Sequence, residues 1–211
     1  MIELLNGLYE EDSSGGTPVE KKKFGASVST LIGDASSDGG LRIANESTSL
    51  VFDGVKYVAS QALMWKFYNN NITSIEFPDL EKLHAPSCCE SAFKNTSVSS
   101  VTWSKLDEIS GANALYEAFY NTGLASIVIP ASVISGRNCL NGAFANSRQL
   151  TAVSFPNLTN VGSETTQFDN MLQGVSDCAV MFPQDMESVI GNWTSVQNGF
   201  GGTNTTVLFS L

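Results

Sequence analysis

Between Ala62 and Pro183 one motif of about 26 residues is written five times, and a period of that length builds a fold from stacked copies rather than around one centre. Phe67, Phe93, Phe119, Phe144 and Phe168 each stand two residues before an asparagine: Asn69, Asn95, Asn121, Asn146 and Asn170. Downstream come apolar-x-x-apolar-x-apolar hexads, Ile72-Ile75-Phe77, Val98-Val101-Trp103, Leu124-Ile127-Ile129 and Leu150-Val153-Phe155. A degraded fifth copy ends Val180-Met181-Phe182. Pro78, Pro130, Pro156 and Pro183 close four of them, and Ser104 stands in the remaining place.

The last two apolar residues of a hexad alternate, so one face of a short strand is buried and the other wet. A lone strand of this kind cannot bury its face; stacked in a parallel ladder at ~4.8 Å spacing, it can. Equal phase in the sequence then becomes vertical alignment in space. Leu63, Cys89, Leu115 and Leu140, each four residues before a Phe, form one expected core column. The five phenylalanines form a second, with aromatic contacts between coils, and Leu83, Ile109 and Val161 a third. The asparagines are expected to be structural. Each coil must turn sharply, and an Asn side chain bonds to nearby backbone and tolerates unusual dihedrals.

Residues 150–162 (L-T-A-V-S-F-P-N-L-T-N-V-G), followed by Phe168, resemble the BspA-like leucine-rich repeat family, as does Ala118-Phe119-Tyr120-Asn121 leading into Ile127–Pro130. That repeat reads L-x-x-I-x-(I/F)-P, then I-G, then A-F with Cys or Asn soon after. The match covers roughly residues 60 to 183, with His84 where the second copy would carry glycine. The resemblance implies a curved solenoid used in bacterial surface adhesion and protein–protein contact, without a common catalytic site, and hence a cell-surface or virion location. The expected fold is mainly β with short helical turns, a right-handed solenoid of about five coils with N- and C-terminal caps.

The bulk properties exclude several alternatives. With 211 residues and 15% charged side chains, the chain suits a turn-rich β solenoid better than a helical enzyme. Its net charge of −10 argues against nucleic acid and anionic membrane surfaces. The longest basic run, Lys21-Lys22-Lys23, reads as a solvated segment. Cys88 and Cys139 share a register but lie two coils apart, roughly 10 Å, beyond disulfide reach. The four cysteines therefore read as buried free thiols. No C-x-x-C pair accompanies the single histidine, His84, which disfavours zinc. Met1–Leu5 lacks the features of a secretory signal, and no run reaches transmembrane length.

Taken in order, residues 1–20 read as a flexible segment or an attachment peptide, and residues 21–61 as an N-terminal cap. Within that cap, Phe24, Val28, Leu31 and Ile32 have helical spacing. Asp34, Ser36, Asp38 and Gly39 match part of a calcium loop, but Asn45 replaces its bidentate Glu, so a polar turn is the better reading. From Leu41 to Val58 the chain reads as a hairpin: Leu41–Ile43, then Leu50–Phe52, Asp53-Gly54 and Val55–Val58. The repeats fill 62–183. Residues 184–211 form a C-terminal cap with a helix near Asp185–Gly191, Trp193 plugging the last coil and a final strand.

Little chemistry is on offer. Glu76 is the one carboxylate on the strand face, so the pair that glycoside hydrolysis needs is missing. His84 has no nucleophile motif beside it, and the glycine clusters lack a phosphate-loop Lys. No catalytic residue, cofactor or metal is expected. Trp65, Tyr68, Tyr116 and Tyr120, with Glu76, are the candidate contact residues, since aromatics concentrate at interaction hot spots. Burial between coils is the competing reading for the tyrosines. The function expected is a non-enzymatic module binding a protein or cell-surface glycan. A component of a phage tail or surface fibre comes second, and a carbohydrate-active enzyme a distant third.

Overall fold

The computed structural model describes residues 21–23, 30–31 and 49–210. The chain winds as a parallel β-solenoid with three walls. Two walls are sheets; the third is a ribbon of turns.

Strands β1 (Lys21–Lys23), β3 (Ser49–Val51), β5 (Ser74–Glu76) and β7 (Ser100–Thr102) pair in parallel and begin the first wall. Strands β9 (Ser126–Val128), β11 (Ala152–Ser154), β12 (Ala179–Phe182) and β13 (Thr206–Phe209) continue it. The second wall holds β2 (Thr30–Leu31), β4 (Tyr57–Val58), β6 (Lys82–Leu83), β8 (Glu108–Ile109) and β10 (Val133–Ile134), again in parallel. Register follows the repeat: Ile75 lies opposite Val101, Ile127 opposite Val153, and Val153 opposite Val180. Alternation then puts Ile75, Val153 and Val180 inside, fully buried.

Three expectations are corrected here. Leu50–Val58 is not a hairpin: β3 bonds to β1 and β5, while β4 bonds to β2 and β6. Asp53-Gly54 is a corner between walls, with Gly54 at φ 70° and its N–H donating to the Asp79 carboxylate. The local turn signal is sound, but both edges of β3 are already occupied by parallel neighbours. This segment is therefore one more rung, and the stack has about six turns between β3 and β13 rather than five. Thr30–Leu31, expected in a helix, is a strand paired with β4, and the backbone of Lys21–Lys23 pairs with β3. The calcium-loop segment and Leu41–Ile43 lie outside the described residues.

The third correction concerns the fifth phenylalanine. Phe67, Phe93, Phe119 and Phe144 stack with ring centroids 5.5, 5.4 and 5.9 Å apart. Phe168 is not the next rung. Leu140 donates to the carbonyl of Gln167 and Phe144 to that of Met171, so Phe168 continues the Leu63-Cys89-Leu115-Leu140 column and Leu172 takes the Phe position. There Phe168 meets Phe155, Phe182 and Phe200 at 5.6 to 6.0 Å. A second aromatic column lies behind the strand wall, Phe52 on Phe77 at 4.4 Å and Phe155 on Phe182 at 4.9 Å.

Trp103 interrupts that second column. The wall is broken between β7 and β9, at the coil where Trp replaces Phe or Ile. Phe77 and Ile129 donate their backbone N–H to the following coil, whereas at Trp103 the indole Nε1 reaches the Val128 carbonyl, at 2.7 Å. The ring packs edge-on to Phe119 at 5.8 Å. The larger indole substitutes one side-chain bond for a stretch of ladder.

The third wall is made of linked turns. Consecutive N–H groups alternate in direction: Leu63, Trp65, Phe67 and Asn69 donate to the next coil, while Met64, Lys66, Tyr68 and Asn70 close i to i+3 turns. Every fourth residue is left-handed: Gln61, Trp65 and Asn69, then Ser87, Ser91 and Asn95, then Asn113, Glu117 and Asn121. All five asparagines of the Phe-x-Asn steps have φ between 52 and 58°, the region that Asn tolerates best among non-glycine residues. Asn121 also donates to Asn95 across coils at 3.0 Å. Next to these asparagines, Thr96 and Thr122 bond back to the Phe93 and Phe119 carbonyls at 2.7 and 3.1 Å, and Ser147 reaches Phe119 at 2.8 Å.

After Pro183 a 3-10 turn, Gln184–Met186, leads into α1 (Glu187–Ile190) and then α2 (Thr194–Gln197). Trp193 packs partly buried against Phe168 at 6.2 Å. All four cysteines are buried and free. Burial pushes the Cys139 thiol up to about 12 and Cys178 to about 11.

One core position is poorly matched. Gln167 follows Ala62, Cys88, Ala114 and Cys139 in their column; it is fully buried, and neither amide atom has a partner within the fold. An unpaired buried polar group costs about 1–3 kcal/mol. Gln167→Met, of similar length without the amide, should therefore raise stability by about 1 kcal/mol in urea titration. A loss would show that the amide is satisfied in solution.

Candidate contact surface on the turn ribbon

What occupies the left-handed positions of the ribbon differs from coil to coil, from the exposed Trp65 to the buried Ser91. The middle position of each coil holds Trp65, Ser91, Glu117 and Gly142 in turn. Three of these suit the region or tolerate it at small cost. Trp65, at φ 59°, does not: a bulky residue there is a steric outlier. Such strain persists only where the surroundings hold it, and it concentrates at binding and catalytic sites.

Trp65 is 36% and Tyr68 40% exposed, and the two rings meet edge to face at 5.4 Å. One coil on, Lys94 lies between them and Tyr120. Its ammonium is 5.9 Å from the Trp65 ring and 4.3 Å from the Tyr120 ring, and it pairs with Glu117 at 2.6 Å. Asn146 donates to the Tyr120 hydroxyl at 2.5 Å. Trp65, Lys94, Glu117, Tyr120 and Asn146 thus tie four successive coils into one chain of contacts. Tyr120 is held from both sides by this chain, while Trp65 and Tyr68 keep open faces.

The other expected residues fall elsewhere. Tyr116 is half-buried one column over, in line with Glu90, and its carbonyl accepts from Ser91 at 2.8 Å. Glu76 lies on β5, between Val51 and Thr102 in register, on a different wall. The structure therefore gathers Trp65, Tyr68 and Tyr120 and separates Glu76 from them. Lys94 was not singled out from the sequence. Its signal was there: Tyr68, Lys94 and Tyr120 each directly follow a column phenylalanine.

A second charged strip runs along the other sheet. Lys56 pairs with Glu81 at 2.9 Å, Lys82 with Glu108 at 2.7 Å, and Lys105 with Asp79 at 2.6 Å. The lysine hydrogen bonds hold all three carboxyls below their ordinary range. His84 is exposed beside Tyr57, ring centroids 5.6 Å apart. These are inter-coil ladders of a solvated face. Among the described residues, no group of three His, Cys, Asp or Glu side chains is placed to hold a metal ion, and no helix is long and apolar enough to cross a membrane.

A parallel solenoid with columned core residues, a turn ribbon and varied outward positions defines a repeat scaffold, in which function resides on the surface the stack presents. The sequence matches the BspA type leucine-rich repeat region, in six copies, over residues 64–176. The chain belongs to the BspA-type leucine-rich repeat family, whose members are repeat-based protein-interaction modules and, as a rule, non-enzymatic scaffolds. No curated protein matches the chain.

Proposed function

We propose that the protein is a surface adhesion module that binds a partner protein through the exposed Trp65–Tyr68 pair, with Tyr120 and Tyr116 bordering the contact. The observation that carries this reading is Trp65: a large aromatic kept in a left-handed conformation, half open to solvent, where the neighbouring coils use Ser, Glu or Gly. Lys94 and Glu117 fix the aromatic neighbour and supply a charged rim, the arrangement of an anchor surrounded by polar contacts. Family membership supports binding rather than turnover and a bacterial surface setting.

The double variant Trp65→Asn, Tyr68→Ser tests this. Asn tolerates the left-handed region, so the fold keeps its stability. Labelled wild-type protein is expected to bind target cells, with the double variant weaker by at least about 10-fold, as for loss of hot-spot aromatics. Protease treatment of the cells should abolish binding and periodate treatment should not; the reverse pattern would identify a glycan. Equal retention of wild type and variant would rule out this surface.

A further inference from the structure

We infer that the C-terminal edge of the strand wall is a self-pairing surface, on which β13 joins β13 of a second copy, antiparallel, about a two-fold axis through Leu208. The ladder shows which groups are on offer. Phe52, Phe77, Ile129 and Phe155 donate their N–H to Glu76, Thr102, Ser154 and Met181 of the following coil at 2.7 to 2.9 Å. Phe209 lies opposite Phe182, next in this series, and among the described residues β13 is paired along one edge only. Thr206 and Ser210 donate back to Cys178 and Phe182 at 2.9 and 3.1 Å. By alternation, the N–H and C=O groups of Val207 and Phe209 face off the end of the stack.

An edge strand left to solvent is normally blunted by charge, proline or a bulge. Here no Asp, Glu, Lys, Arg, His or Pro occurs from Ser188 to Ser210. Leu208 is 41% exposed, and Val207 and Phe209 are only partly buried against the core, Phe209 stacked on Phe182 at 5.7 Å. A two-fold axis sets each group against its own image, so a charged end would repel itself and an uncharged end does not. Among the described residues the other end of the wall is β1, whose sequence is three successive lysines, so head-to-tail stacking would set a charged strand against this apolar one. Tail-to-tail pairing sets apolar strand against apolar strand and brings no like charges together on the strand itself.

The register follows from strand geometry. Val207 and Phe209 face Phe209 and Val207 of the second copy and exchange hydrogen bonds; Leu208 faces its own image in a non-hydrogen-bonded pair with Cα atoms ~4.5 Å apart. Four backbone groups per copy are satisfied, and the exposed apolar side chains cover one another.

Sedimentation equilibrium of the full 211-residue chain tests this, with a dimer expected. Leu208→Lys sets like charges across the axis and should weaken dimerisation on the order of 100-fold, with the far-ultraviolet dichroism unchanged. Leu208→Cys should oxidise to a disulfide-linked dimer, because ~4.5 Å lies within Cα reach for a disulfide and the native thiols are buried. A chain that stays monomeric at every concentration overturns the proposal. So does a dimer that Leu208→Lys leaves intact, or a Leu208→Cys protein that forms no cross-link.

Discussion

Phe119→Ala is expected to lose about 3–5 kcal/mol of stability, the largest effect of any single truncation in the central coils. The ring is fully buried, stacked between Phe93 at 5.4 Å and Phe144 at 5.9 Å, with Trp103 edge-on at 5.8 Å. Removing it opens a cavity against the turn ribbon, whose inter-coil hydrogen bonds resist its closing. The residues above and below are fixed by hydrogen bonds from Phe93 to Ala118 and from Phe119 to Ala143, both under 3 Å. Little relaxation is available, which places the cost in the upper part of the range for such changes. Chemical denaturation measures it directly. A loss below about 1 kcal/mol would mean that the ring column contributes no packing to the core.

Gly136→Ala is the second large effect, and it acts by crowding rather than by vacancy. A Cβ at Gly136 would lie 2.3 Å from the Gly111 carbonyl oxygen and 2.7 Å from its carbon. Gly111 stands in the same relation to Ala85, with 2.2 Å to the oxygen. These glycines lie just past β10 and β8, where one coil crosses directly over the backbone of the previous one. A side chain can rotate away from a clash; a peptide unit held in a ladder cannot. The cost should reach the top of the ~1–3 kcal/mol typical of overpacking. Gly123→Ala serves as the control, since its Cβ would come no nearer than 3.4 Å to anything. That variant should be neutral or slightly stabilised through a less flexible unfolded chain. If both glycine variants unfold at the same urea concentration, close backbone approach is not what sets the coil spacing at Gly136.

Much of this fold was legible because a repeat converts position in the text into position in space. The Phe67 to Phe144 column, the asparagines and the parallel walls all follow from that conversion. Phe168 departs from that conversion because the Phe-x-Asn motif recurs there at a different distance from the preceding hexad. Trp103 to Phe119 is 16 positions, and Ile129 to Phe144 is 15, but Phe155 to Phe168 is only 13. Leu172, 17 positions on, restores the interval and occupies the column. Asp53-Gly54 misled for a different reason. Its turn chemistry is local, whereas the direction of the following strand, β4, is decided by β2 and β6, about 25 residues away in each direction. The contact surface was legible only in part. Trp65, Tyr68 and Tyr120 were visible as aromatics outside the core, but the bridging role of Lys94 depends on distances across coils, and the strain at Trp65 on a dihedral angle that composition does not reveal.

The indole of Trp103 has a mechanical consequence. Around it, adjacent coils remain joined by the β8–β10 pairing, the Phe119–Phe144 stack and the Thr122–Ser147 contact, while the strand side between β7 and β9 is bridged by a single side-chain bond. A rod fastened firmly along two of its sides and lightly along the third yields in one direction only. Bending of the stack should therefore concentrate at this seam, which lies between the Trp65 patch and the β13 edge.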